Sequence, residues 1–200
     1  MNLDVLFEGE IDIHRLAEVL DGLGHPGRLA TIRGWHHEQQ ARLYEAVKGF
    51  KPLDLAYFVP DAVEPLTEVI HWGKNSLPAF THFQKRFCKP DADAKELYGY
   101  NENGEKWAVG PGYFVMHAPL DGRPEAGEGE MDIDYTKTPD KKPDAWPKIA
   151  KNEGGLGRVV YGGMIDVMRG VSSHVSIGRA FRGGKFADNY FVLCREDPAA

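Results

Sequence analysis

The stretch from Val167 to Asp197 reads VMRGVSSHVSIGRAFRGGKFADNYFVLCRED, and its reading decides the fold. Between Arg169 and Phe181 the residues alternate as in a β-strand. One side carries Val171, Val175, Ile177 and Phe181, with Arg169 and Arg179 in the same phase; the other carries Ser172, His174, Ser176, Gly178 and Ala180. Gly183-Gly184 accept the positive φ of a tight turn, and NYFVLCRE returns as the partner strand. We expect the apolar side to face the interior, where each arginine must find an acid, a carbonyl or a ligand. If the small-residue side were interior instead, His174 would lie in a hollow with room beside it.

Upstream, GYFVMHA, EMDIDY and GRVVYGGMIDVMRG are further short β-like runs set apart by glycine and proline. Met131, Ile133 and Tyr135 share one face of EMDIDY, and Asp132 and Asp134 the other. Sequential strands with short turns pair antiparallel. EPLTEVIHWG is the first strand-like stretch, and NSLPAFTHFQKRFCKP after it reads as a helix near 77–88. Ser76 is placed as its cap, and Phe80, Phe83 and Phe87 fall at helical steps. Residues 1–60 form a helical layer: Ile13, Leu16, Ala17 and Leu20 recur at helical spacing, and Trp35, Leu43, Ala46 and Val47 make a second stripe. The expected fold class is α+β over a single domain, 1–200. N-terminal helices pack on a curved antiparallel β-sheet or barrel formed by the mostly β region 61–197. Two segments, 119–130 and 136–157, resist assignment, and Trp146 suggests that the second packs back onto the body.

The composition, 42% hydrophobic and 27% charged, belongs to a globular chain rather than a disordered one. A net charge of −6 argues against a nucleic-acid partner. No apolar run is long enough to span a membrane, and the acidic N-terminus lacks the features of a signal peptide, so a cytoplasmic protein is expected. Cys88 and Cys194 show no metal-ligand spacing and read as buried thiols. His36-His37-Glu38 fails the zincin pattern because Gln40 and Ala41 stand where the second histidine is needed. Neither GEGE nor GGLGR meets the phosphate-loop pattern. No metal and no cofactor are expected.

Two basic islands remain. From Ile70 to Pro90 there is no acid, while Lys74, Lys85, Arg86 and Lys89 are present. His71, Lys74 and Asn75 lie before the expected helix start, where backbone N–H groups favour an anion; Lys85, Arg86 and Lys89 read as the solvated end of that helix. The second island is the C-terminal sheet with Arg169, Arg179 and His174, for which Asp132, Asp134 or Asp166 could serve as partners.

The closing pattern SIGRAFRGGKFADNYFVLCRED resembles the last hairpin of small lipocalin-like proteins, and GKNSLPAFTHFQKRF is similar to an element of bacterial lipocalin-like domains. The helical first third departs from a plain lipocalin. The resemblance implies a β-barrel whose interior holds a small, often apolar molecule. The leading expectation is therefore a binding protein for a small amphipathic or anionic ligand, with Arg179, Arg169, His174, Lys74, Asn75 and His71 as the binding residues. Two alternatives stand beside it. One is a cofactor-free enzyme with His174 or His71 as general base, oriented by Asp132, Asp134 or Asp166. The other is a pocketless protein-interaction module using the loops from Pro119 to Asn152.

Overall fold

The computed structural model describes residues 4–77, 81–102, 110–119, 127–150, 152 and 159–197. After a 3-10 turn (Asp4–Phe7) come four helices: α1 (Ile13–Asp21), α2 (His25–Gly34), α3 (His37–Ala46) and the single turn α4 (Leu55–Phe58). Eight strands follow: β1 (Val69–Asn75), β2 (His82–Cys88), β3 (Leu97–Glu102), β4 (Phe114–His117), β5 (Met131–Asp134), β6 (Met164–Gly170), β7 (Val175–Arg182) and β8 (Lys185–Arg195). Each pairs antiparallel with the next, and β8 pairs with β1, so the sheet closes into a barrel. The α+β architecture with helices preceding an antiparallel barrel is thus as the sequence implies.

Local chemistry sets the helix starts. The Asp12 carboxylate caps α1 by accepting from the Arg15 N–H at 2.9 Å, and Asp54 caps α4 in the same way through Tyr57. Pro26 occupies the first turn of α2. Leu16 and Leu20 of α1, Ile32 of α2, and Leu43 and Tyr44 of α3 are fully buried against Val175 and Ile177 of β7 and Tyr190, Val192 and Cys194 of β8. Among the described residues, no helix is long and apolar enough to cross a membrane.

This packing reverses the expected orientation of the opening stretch. Val175, Ile177 and Arg179 point out of the barrel into the helical layer, while Ser176, Gly178 and Ala180 point into the lumen, where Gly178 meets Phe191 and Met168. Helices cover the outer wall, so both faces of β7 are buried and the more apolar face serves the larger interface. The Gly183-Gly184 turn is as expected, with φ of 59° and 81°. The outer wall of β3 and β4 is covered in turn by Trp146, which packs on Tyr98, Tyr100, Tyr113 and Val115 and donates to Glu68 at 2.6 Å. The segment 136–150 therefore does pack back through its tryptophan. Cys88 and Cys194 are buried free thiols in different clusters.

The helix expected near 77–88 is a correction: His82–Cys88 is strand β2. It is paired on both sides, with Val69↔Phe87 through Lys74↔His82 toward β1 and Gln84↔Glu102 through Cys88↔Tyr98 toward β3. Ser76 caps no helix; it extends the ladder, exchanging bonds with the backbone of Tyr190. Phe83 and Phe87 fit a helical step and a strand phase equally well, and ladder pairing on two sides decides between them. Phe80 and Pro78, like the GGLGR stretch and Arg158, lie outside the described residues. Strand β3 is buried along nearly its whole length, so no alternation of polar and apolar residues marks it in advance.

Three wall glycines stand directly opposite phenylalanines: Gly73↔Phe83, Gly99↔Phe114 and Gly178↔Phe191. In each pair the ring folds over the glycine, occupying the space a Cβ would take. A methyl group on Gly99 would overlap the Phe114 ring and come within 2.6 Å of the Arg86 carbonyl oxygen, which is backbone and cannot swing away. Gly99→Ala is therefore expected to destabilise the fold by about 1–3 kcal/mol, read as a lower urea midpoint at unchanged slope.

Candidate functional site

Ladder register and strand alternation place four polar residues side by side in the inward phase. Arg195 of β8 pairs with His71 of β1, His71 with Lys85 of β2, and Lys85 with Asn101 of β3. From the opposite wall Asp166 of β6 and Tyr135, just after β5, reach the same level. Lys85, Asn101, Tyr135 and Asp166 are each at most 4% exposed.

The Lys85 ammonium has three N–H groups and three acceptors: Asn101 Oδ1 at 3.0 Å, Asp166 Oδ2 at 3.1 Å and the Tyr135 hydroxyl. Tyr135 donates in turn to Asp166 Oδ2 at 3.2 Å, and Asn101 Nδ2 donates to the Gly112 carbonyl and to Tyr135, both at 3.1 Å. Around the cation stand the rings of Phe191 (4.8 Å), Tyr135 (5.0 Å), Phe114 (5.2 Å) and Phe83 (5.7 Å). Burial pulls the Lys85 pKa below that of a free lysine, and Asp166 opposes that pull. Burial and the Asp166 charge push the Tyr135 phenol well above its usual range, so it keeps its proton. Among the described residues Asp166 is the one carboxylate in the inward phase of the strands, and it neutralises Lys85.

His71 lies between Phe58 and Phe87, with ring centroids at 5.5 and 4.8 Å. Its Nε2–H donates to the Phe58 carbonyl at 3.0 Å, and its buried Nδ1 has no partner. Burial depresses its pKa to about 3, so the ring is neutral. Arg195 donates through Nη1 to the Tyr57 carbonyl and lies 5.7 Å from the Tyr57 ring, while its buried Nε has no partner. Ser176 places its hydroxyl beside that of Tyr57.

Of the six binding residues named from sequence, His71 alone joins this cluster. Asp166, named there as a partner or orienting acid, joins it on Lys85 rather than on a histidine or on Arg169 or Arg179; Asn75 shares the inward phase only at the far end of β1. Arg169 and Arg179 sit in the seam between barrel and helices. Arg169 donates to Glu130 at 2.8 Å and to the Tyr44 carbonyl, 3.9 Å above the Tyr44 ring. Arg179 donates to Glu45 at 3.2 Å and to the Ala187 carbonyl. The protein itself thus satisfies both guanidinium charges. Lys74 bonds the Asn75 carbonyl from the outer phase, and Asn75 Oδ1 accepts from the Leu77 N–H. His174 faces Asp197 at 3.4 Å outside the lumen. A histidine–carboxylate pair does occur between His117 and Asp134 at 3.4 Å, on the outer wall. Asp132 and Asp134 both point outward, away from His71.

Lys85 and Arg195 were missed, although a signal existed. Phe83-Lys85-Phe87 is a base in phase with apolar neighbours, the same pattern that drew notice to Arg169 and Arg179, but a helical reading of the segment hides it. No protein-family model matches the chain, and no curated protein is significantly similar to it.

Replacing Lys85 by Met leaves Asp166 buried and unpaired, which should cost about 3–5 kcal/mol, whereas Lys85→Met with Asp166→Leu should recover most of that loss. Urea denaturation of the three proteins checks both values. His71 has a folded pKa below its unfolded value, so its contribution to stability is present above about pH 6.5 and is lost as pH falls toward about 3. His71→Asn should flatten the stability profile across that window, measured by denaturation at stepped pH.

Proposed function

We propose that the protein binds a small amphipathic molecule inside the barrel. The apolar body lies along Phe83, Phe114, Phe191 and Leu193, and the polar end meets the Arg195–His71–Lys85–Asn101 row. One observation carries this reading: a lysine–aspartate pair with tyrosine and asparagine partners is kept in an aromatic-lined barrel interior. A buried ion pair is often no more stable than an apolar filling of equal volume, so its retention here favours a role in binding over one in stability alone. The barrel's likeness to lipocalin-like domains, in which strands enclose a ligand, supports the same reading. Arg169 and Arg179 then act as seam residues that fix the helices to the wall.

Fluorescence titration with 1-aminoanthracene, a neutral amphipathic probe, together with native mass spectrometry of the purified protein, tests the proposal. One probe per chain should bind, and the packed double variant Lys85→Met/Asp166→Leu should weaken it about tenfold or more. Equal binding by wild type and double variant, or no binding by the wild type, sinks the reading.

A further inference from the structure

The outer wall of the barrel is covered unevenly. Helices α1–α3 lie over β7 and β8, and the Trp146 segment lies over β3 and β4. Between them, Trp72 and Lys74 of β1 and Gln84 and Arg86 of β2 point outward and are half-buried, while His82 is exposed. Arg33, at the end of α2, sets its guanidinium 5.9 Å from the centroid of the Trp72 ring. Lys74 and His82 stand directly opposite each other across the ladder. Leu77, just past the end of β1, is 38% exposed.

Three bases thus share one face, and among the described residues none of them is ion-paired to a carboxylate. Burial and the charges of Arg33 and Lys74 hold the His82 pKa below that of a free histidine, and no acid is among the groups acting on it. The neighbouring Arg86, by contrast, is neutralised by Glu68 at 2.8 Å. No acid occurs in the sequence from Ile70 to Pro90. Glu64, Glu68, Asp91, Glu196 and Asp197 flank the start of β1 and the ends of β2 and β8, at the opposite end of the barrel. A chain of net charge −6 therefore gathers positive potential at one hairpin, beside an exposed apolar side chain.

We propose that this face of the β1–β2 hairpin docks on a lipid surface carrying anionic headgroups. Headgroup phosphates accept from Arg33, Lys74 and His82, which have no carboxylate partner within the protein, and Leu77 enters the boundary between headgroups and acyl chains. A partner strand cannot add here, because β1 is paired on both sides and offers no free edge. A soluble polyanion would use the bases but gain nothing from Leu77. The inference goes beyond the lumen reading and does not rest on it.

Co-sedimentation of the full chain with vesicles of phosphatidylcholine, alone or with about one-third phosphatidylglycerol, tests this at low and at high salt. Anionic vesicles should bind at least about tenfold more tightly than neutral ones, and salt should weaken that binding. Arg33→Gln with Lys74→Gln should weaken it about tenfold or more, and Leu77→Ser about threefold. Lys89→Gln with Lys141→Gln, which removes two bases at the acidic end of the barrel, should change it little. None of these side chains is buried, so the variants keep the fold, and thermal denaturation checks that they do. Absence of binding to anionic vesicles, or equal binding to neutral ones, overturns the proposal. So does equal weakening by the two double variants, which would mean attraction by charge anywhere on the surface. Tighter binding of polyuridylate than of anionic vesicles, lost in Arg33→Gln/Lys74→Gln and untouched by Leu77→Ser, assigns the face to a soluble polyanion and overturns the lipid assignment. Each of these results leaves the lumen reading standing, since the fluorescent probe tests that separately.

Discussion

Pairing between β1 and β8 is the constraint on which the rest of the molecule depends. It joins the first strand of the sheet to the last, so the sheet has no free edge and every strand has two neighbours. Closure gives each strand an inside and an outside rather than a core face and a solvent face. Alternation then sorts side chains between lumen and outer wall, and both populations are buried wherever the wall is covered. Helices α1–α3 cover it over β7 and β8, and the Trp146 segment covers it over β3 and β4.

A second consequence follows inside. A closed wall of eight strands leaves an interior just wide enough for side chains or one small ligand. Here opposed glycine–phenylalanine pairs lay three rings against the wall, and these rings, with Tyr135, surround the Lys85 ammonium. The cation tolerates this place because three acceptors match its three N–H groups and one of them is a carboxylate. His71 and Arg195, one and two strands away, are left with unmatched polar atoms. The contrast between a saturated half and an unsaturated half of the same row is what turns a packed interior into a candidate site.

The helical first third, the strands from Phe114 onward, the glycine turn and the docking of Trp146 were legible in the sequence. Each rests on local chemistry: periodicity, capping, positive φ, or an indole needing cover. β2 and β3 were not. Phe83 and Phe87 satisfy both periods, and Leu97–Glu102 is buried on both faces, so no local signal separates the alternatives. Misreading β2 also hid Lys85, which looked like a solvated helix end.

The sequence by itself determined that helices precede an antiparallel sheet, that Arg169 and Arg179 share the apolar phase of their strand and therefore need partners, and that Asp132 and Asp134 share one face opposite Ile133. Only the tertiary structure decided which phase faces the lumen. In a barrel sheathed by helices, apolar residues are needed on both sides of the wall, so hydrophobicity does not tell inside from outside. Cross-strand register and closure do, and they exchanged the expected roles: the two arginines went to the seam with Glu45 and Glu130, and Lys85, His71 and Arg195 went to the interior.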